Sequence, residues 1–470
     1  MEVVPPSAIA LVVRCRSCWP VRAIRPPCER DGPRAVRGES LRTRPSPTRL
    51  LTTHAGSREQ VLCHDPGMAV PRTLARARLA AASGFFAQGL VFISLTSRLP
   101  DITEKWDIGE LLLSLLLLMM VLLAGAGSVL AEKVAERRDS ASMLRLGLLL
   151  VMAGVAVIAL APDRAVFVGA MAVYGVGLGV VDATTNMQAV ALEHRYGRPI
   201  LPSFHGAWTL GGVAGAGLSL ATGSLPLGVV AAVAVVPLAV VFAPLLPRVQ
   251  AVPDTAAAAA VPWRPILLVG LGMVLFYMVD TATQTWGPLF LDDTFDTPSG
   301  LVALATLPYL VASGILRIAG DGLVARYGAV LVLRVGAVAG SAALAVVVFA
   351  PTWPVAVLGF TLLGAGVAVI APLSFSAAAR IAGGGPEDTV LDPDARQARV
   401  DAVIARFNQF NYAGALLGSV MTGVVGSGSL RVGFAVPMVL ILGIVPLARA
   451  FAPVGTGVSA PRPSDVGSAS

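Results

Sequence analysis

Two aspartates stand where charge is expensive. Asp182 lies in GVGLGVVDATTNMQAVAL (175–192) and Asp280 in LLVGLGMVLFYMVDTATQTWGPL (267–289), both otherwise apolar or small. A charged side chain at the centre of a membrane helix costs roughly 2.5–3.5 kcal/mol on insertion scales, so such a residue is read as functional by default. Asn186 follows Asp182 by four residues and Gln284 follows Asp280 by four, which puts each pair on one helix face. Desolvated carboxyl groups can take up and release protons near neutral pH. The chemistry open to them is proton carriage or binding of a polar ligand. The competing reading is a hydrogen-bonded network between helices. The functional reading is carried forward.

Other polar groups share this setting. Gln88, with Ser94 and Thr96, lies in the first long apolar run. His205 carries an imidazole that changes charge near neutrality, or else it simply packs. Trp208, Trp286, Tyr412 and Phe86 offer faces for a sugar ring or another flat ligand, with interior packing as the alternative. Gln188, Asn408 and Asn411 sit where apolar residues would be cheaper. Hydrogen bonds between membrane helices average only about 0.6 kcal/mol in one measured system, so these amides point to ligand contact or a specified interface. In the turns, Glu132, Lys133, Arg137 and Arg138, and later Asp321 and Arg326, can form ion pairs that bias one conformation.

The elements that position these groups follow from composition. Of 470 residues, 55% are hydrophobic and 13% charged, and mean hydropathy is +0.76. Soluble domains carry about 25% charged residues, so this is a multi-pass membrane chain. About twelve spanning helices are expected, at 80–99, 111–131, 143–160, 165–189, 200–221, 227–246, 266–291, 299–318, 329–349, 354–378, 403–425 and 432–451. The long unbroken runs exclude a barrel, whose strands alternate. Arginines cluster in alternate turns, which predicts that both termini are cytoplasmic in a bacterial inner membrane.

The expected organisation is an Arg/Pro-rich extension over 1–67, a six-helix half over 68–246, a linker over 247–263, a second six-helix half over 264–452, and a disordered tail over 453–470. Residues 1–67 hold eleven arginines against six acids, which accounts for most of the net charge of +7 and removes the case for nucleic acid. All four cysteines lie there too, at irregular spacing that does not make a zinc site. Translation is expected to start at Met68, and no cleavable signal peptide is evident. No metal and no cofactor are expected.

The halves repeat one another. Glu132 and Arg137 stand five apart after the second span, and Asp321 and Arg326 stand five apart after the eighth, at an offset of 189. Gly175 and Gly177 return as Gly364 and Gly366 at the same offset. Phe204, Gly211 and Gly215 return as Phe407, Gly414 and Gly418 at an offset of 203. The pairs Gly211/Gly215 and Gly414/Gly418 are each a GxxxG, the spacing that lets membrane helices cross closely. Six plus six helices with an internal repeat is the pattern of a secondary transporter with its site between the halves.

From about Arg76 to Phe451 the chain resembles the major facilitator superfamily. Its acid-and-arginine turns look like that superfamily's loop signature, with Gly320-Asp321 through Arg326 to Gly328 the better copy; Glu132, Ala131 and Ala135 depart from it. Phe85-Phe86-Ala-Gln88-Gly89, Ser97-Arg98-Leu-Pro100, Asp182 to Asn186, Leu192-Glu193, Phe204-His205-Gly206 and Arg406 to Tyr412 look most like the fucose-permease-like branch. The resemblance implies an all-α fold and a central cavity lined by the first, fourth, seventh and tenth spans. It also implies a part for a fourth-span acid in proton coupling, with Asp182 as the candidate. The expected function is alternating-access transport of a small solute, coupled to protons and bringing in a sugar-like or other small polar compound. The protein is expected to work as a monomer within the lipid bilayer. Export of drugs or metabolites against protons is the rival, weakened because the fifth span carries no proline within Gly206 to Gly217. A receptor or scaffold is the rival of another class, and Asp182 and Asp280 speak against it. No HExxH or phosphate-binding GxxxxGK[ST] motif supports an enzyme.

Overall fold

The protein is described by a computed structural model that covers residues 71–135, 139–196, 200–246, 262–384 and 409–452, with 400, 403 and 407 between the last two stretches. Among these residues there are helices and turns but no strands. The chain order begins with α1 (Arg72–Thr96), a short α2 (Leu99–Trp106), α3 (Glu110–Ala135), α4 (Ser140–Leu160), α5 (Arg164–Tyr196) and α6 (Leu201–Thr222). A 3-10 stretch (Leu227–Ala234) then runs into α7 (Val235–Val241). The second half holds α8 (Trp263–Phe295), α9 (Leu307–Tyr327), α10 (Ala329–Val348), α11 (Trp353–Val367), α12 (Ile370–Gly383), α13 (Gln409–Val425) and α14 (Leu430–Leu440), which continues irregularly to Phe451. Among the described residues, nine helical stretches are long and apolar enough to cross a membrane.

Helix occurs at every expected span, with differences in form at the first, sixth, tenth and twelfth. The first span ends at Thr96, and Leu99–Trp106 forms a helix of its own, stopped by Asp107 in the left-handed region at φ 49°. The sixth span is only partly α-helical, a 3-10 stretch leading into the seven-residue α7. The tenth is divided between α11 and α12 at Ala368–Val369. Proline at 372 has no N–H to give the carbonyl four residues back, so the helix loses its bond at Ala368.

The two halves pack alike. In the first, α1 lies on α6, and α5 lies on both α3 and α4. In the second, α8 lies on α13, and α11 lies on both α9 and α10, so each pairing recurs at the equivalent spans. The glycines show how closely the match runs. Gly211 abuts the Phe86 carbonyl, and its counterpart Gly414 abuts that of Val274, 2.6 Å from where a methyl would stand. Gly215 lies the same way against the Leu90 carbonyl, 2.6 Å from such a methyl, and its counterpart Gly418 abuts that of Met278. Gly175 faces the carbonyl of Met120, and Gly364 faces that of Tyr309; both members of the second contact stand at the offset of 189 from those of the first.

Between the halves, α3 packs on α13 and α6 on α9. One end of the bundle is packed across this interface. Ser97 and Thr306 share a buried hydroxyl contact of 3.4 Å, and a methyl at Gly223 would lie 2.6 Å from Gly300 Cα. Toward the other end, Asn186 and Asn411 are only partly buried and Gly206 is exposed.

Candidate functional site

Three polar groupings lie along or beside the interface between halves. In the first, Tyr412 on α13 donates its hydroxyl to the Asp182 carboxylate on α5 and bonds Ser128 on α3. Tyr412 and Asp182 come from opposite halves, so the bond spans the interface. Asn186 does not reach the carboxylate. Its amide turns back on its own helix and donates to the Asp182 main-chain oxygen at 2.9 Å. Thr184 and Thr185 do the same with the carbonyls of Val180 and Val181. Asn411 is half-buried beside Tyr412.

In the second grouping, Asp280 on α8 is 8% exposed and accepts the Tyr309 hydroxyl at 2.5 Å. Gln284, one turn along α8, also bonds it. Tyr309 is fully buried on α9, so this bond lies inside the second half. A buried carboxylate tied by two donors is in keeping with the demand that buried polar groups be satisfied.

The third grouping centres on Arg317 of α9, a residue the sequence reading did not single out. Its Nε donates to the Ala368 carbonyl at 3.2 Å, and its Nη1 donates to Thr209 Oγ1 at 3.3 Å across the interface. The Ala368 carbonyl is the one that Pro372 leaves without a helical partner. Backbone groups freed in this way must find another donor at membrane depth. Arg317 lies in electrostatic range of Asp280 and His205. Among the described residues no carboxylate comes within 4.0 Å of its guanidinium. A lone arginine inside an apolar span was the signal that could have found it.

His205 on α6 sits between Phe85, 5.5 Å away ring to ring, and Phe375, 6.4 Å away in the other half. Trp208, one helical turn on, is half-buried beside Phe92. Gln88 on α1 is 7% exposed, and its Oε1 makes no hydrogen bond among the described residues.

Other residues from the sequence reading do structural work. Trp286 is wholly buried and donates its indole N–H to the Ser419 carbonyl at 2.8 Å. It ties α8 to α13 and shows no face to a ligand, so the packing alternative describes it. Gln188 is fully buried and clasps Ser140 Oγ and both backbone groups of Leu246. Glu193 accepts from the N–H groups of Ile200 and Leu201, each at 2.7 Å. It therefore caps the start of α6 with a negative charge where the helix dipole favours one. Glu132 and Lys133 are exposed at the end of α3 and make no ion pair among the described residues. Arg326 lies over the ring of its neighbour Tyr327. Arg137, Arg138 and Asn408 lie outside the described residues, as does the side chain of Asp321.

An all-helical, twofold-repeated membrane bundle with polar groups where the halves meet defines a multi-pass transporter. No family model matches the chain. An uncharacterized MFS-type transporter of Yersinia pestis is 25% identical over 377 residues, which is 78% of this chain and 93% of that protein. The crystal structure of the nucleoside transporter NupG matches with a TM-score of 0.59 at 14% identity, covering 81% of this chain and 98% of NupG. FucP, a major facilitator superfamily transporter seen in the outward conformation, matches at 0.51 and 15% identity over 81% of this chain and all of FucP. The fold is that of the major facilitator superfamily, and the chain is a transporter of that type rather than an enzyme.

Proposed function

We propose that the chain carries a small polar solute across the cytoplasmic membrane of a bacterium by alternating access, with protons as the coupling ion and uptake as the direction. The two rocking bodies are residues 68–246 and 264–452, joined by 247–263, and a monomer suffices. With both termini in the cytoplasm, the packed end at Ser97 and Thr306 lies outside, so the described state faces inward.

The observation that carries the coupling is the bond from Tyr412 to Asp182, because it joins the halves through a titratable group. A hydrogen bond to an ionised carboxylate is about twice as strong as one between neutral groups. Protonation of Asp182 therefore loosens this tie, and proton release tightens it. Asp280 is the second carboxylate at depth. Gln88, His205, Trp208, Asn408 and Asn411 are the groups that would face the solute.

The test uses purified protein in liposomes loaded with a pH-sensitive dye. Sugars, nucleosides and other small metabolites are added outside without an imposed gradient. Acidification of the lumen with one compound, lost in Asp182→Asn, is the expected result. Alkalinisation would reverse the direction of proton movement and favour exchange. Transport of a compound with no pH change in the parent or either Asp→Asn variant would remove both aspartates from coupling.

A further inference from the structure

The internal repeat gives the Arg317 grouping a counterpart. Arg317 stands at an offset of 189 from Ser128, and Tyr412 at an offset of 203 from Thr209, the two offsets that relate the halves here. The junction of Ser128 with Tyr412 and that of Arg317 with Thr209 are thus the same place in the fold, seen once from each half. At the first junction the fourth span adds the Asp182 carboxylate. Its equivalent in the tenth span, at the offset of 189, is Ala371. One junction therefore has an acid among hydroxyls. The other has a guanidinium with an alanine where that acid would stand.

We infer that Arg317 is the docking residue for an anionic group of the transported solute, a carboxylate or a phosphate, which takes at the second junction the place that Asp182 takes at the first. This rests on the transport reading above and names its solute class. A guanidinium has five N–H donors, and the bonds to Ala368 and Thr209 employ two of them. The remaining N–H groups form the fork that suits two carboxylate or phosphate oxygens. Asp280 lies in electrostatic range of the guanidinium but gives it no hydrogen bond, its carboxylate being held by Tyr309 and Gln284. A solute anion would supply the direct charged partner that no described carboxylate gives Arg317. Arg317 is half-buried rather than sealed, at the interface where a solute must pass.

The test measures binding calorimetrically to full-length protein in nanodiscs. The probes are matched pairs: hexuronates with their hexoses, hydroxy acids with the corresponding diols, and nucleoside monophosphates with their nucleosides. At least one acid should bind at least about tenfold more tightly than its neutral partner. Arg317→Gln should abolish that difference, and Arg317→Lys should keep part of it, since the charge stays while the fork is lost. If Arg317→Gln does not fold, Arg317→Lys carries the test and should weaken the preference for the acid. A preference unchanged in Arg317→Lys and Arg317→Gln, or tight binding confined to neutral members, overturns the anion site. So does failure of every acid to bind. Counterflow in liposomes separates the two readings. A bound acid that never crosses overturns transport and leaves the anion site. A neutral compound that crosses equally well with Arg317→Gln does the reverse.

Discussion

The fourth and tenth spans occupy equivalent places, yet one is a continuous helix from Arg164 to Tyr196 and the other breaks at Ala368–Val369. The residue responsible is Pro372, whose equivalent at the offset of 189 is Ala183. In the fourth span every carbonyl near the acid keeps a helical donor, and the polar chemistry comes from a side chain, Asp182. In the tenth the polar chemistry comes from the backbone, where the freed Ala368 carbonyl takes the Nε of Arg317. Duplication kept the packing frame, as Gly175 on Met120 and Gly364 on Tyr309 show. Within that frame it let the charges diverge, so that one junction presents an anion and the other a cation. A scaffold under close packing tolerates little change, whereas half-buried polar groups such as Asp182 and Arg317 can be exchanged without disturbing it.

The largest expected effect comes from making the fourth span resemble the tenth. Ala183→Pro would strip the donor from the Gly179 carbonyl and push the ring into the preceding turn, at a cost of about 3 kcal/mol or more. Gly179 abuts the Ala124 carbonyl, so the helix has no room to bend there. The expected outcome is a large drop in melting midpoint of the purified protein, or no folded protein at all. A midpoint within about 2 °C of the parent would show that the continuity of this helix does not matter.

A smaller effect separates the two tyrosine–aspartate bonds. Tyr412→Phe removes a tie between halves, and Tyr309→Phe removes one inside the second half. Each should cost about 1.5–3 kcal/mol, the range for a bond to a charged group. Amide exchange shows where that cost falls. Tyr412→Phe should speed exchange in α5 and α13 together, while Tyr309→Phe should confine the change to α8 and α9. The opposite distribution would contradict the assignment of Asp182 to the interface.

The frame was legible in the sequence because it depends on depth and spacing. Apolar runs gave the spans, and the offsets of 189 and 203 gave the repeat. The site was only partly legible, because a sequence tells how deep a side chain sits but not the direction in which it points. Trp286 and Gln188 lie at suitable depths but turn inward to Ser419 and Leu246. Tyr309 meets Asp280 from another helix, 29 residues away in the chain, and no periodicity announces that contact. The role of Arg317 depends on a carbonyl freed 51 residues further on, at Ala368, and no spacing in the sequence announces that contact. The break at Pro372 is not legible in the sequence, because a proline within an apolar run does not by itself end a membrane helix, as Pro288 inside the unbroken α8 shows.

The smallest effect comes from the reverse exchange, making the tenth span resemble the fourth. Pro372→Ala returns an N–H to the Ala368 carbonyl and allows α11 and α12 to join. A carbonyl oxygen has two lone pairs, so Arg317 can share it with the restored helical donor, but the bond lengthens and the guanidinium is less firmly placed. The fold should survive with little change in melting midpoint, since a helical bond is regained as another weakens. Affinity for the acidic member of a probe pair should fall by less than about tenfold, well short of the loss in Arg317→Gln. Calorimetry on the two variants side by side gives the ratio. Equal losses would mean that the broken helix, and not the charge of Arg317, is what the solute requires. No loss in Pro372→Ala would mean that Thr209 alone is enough to aim the guanidinium.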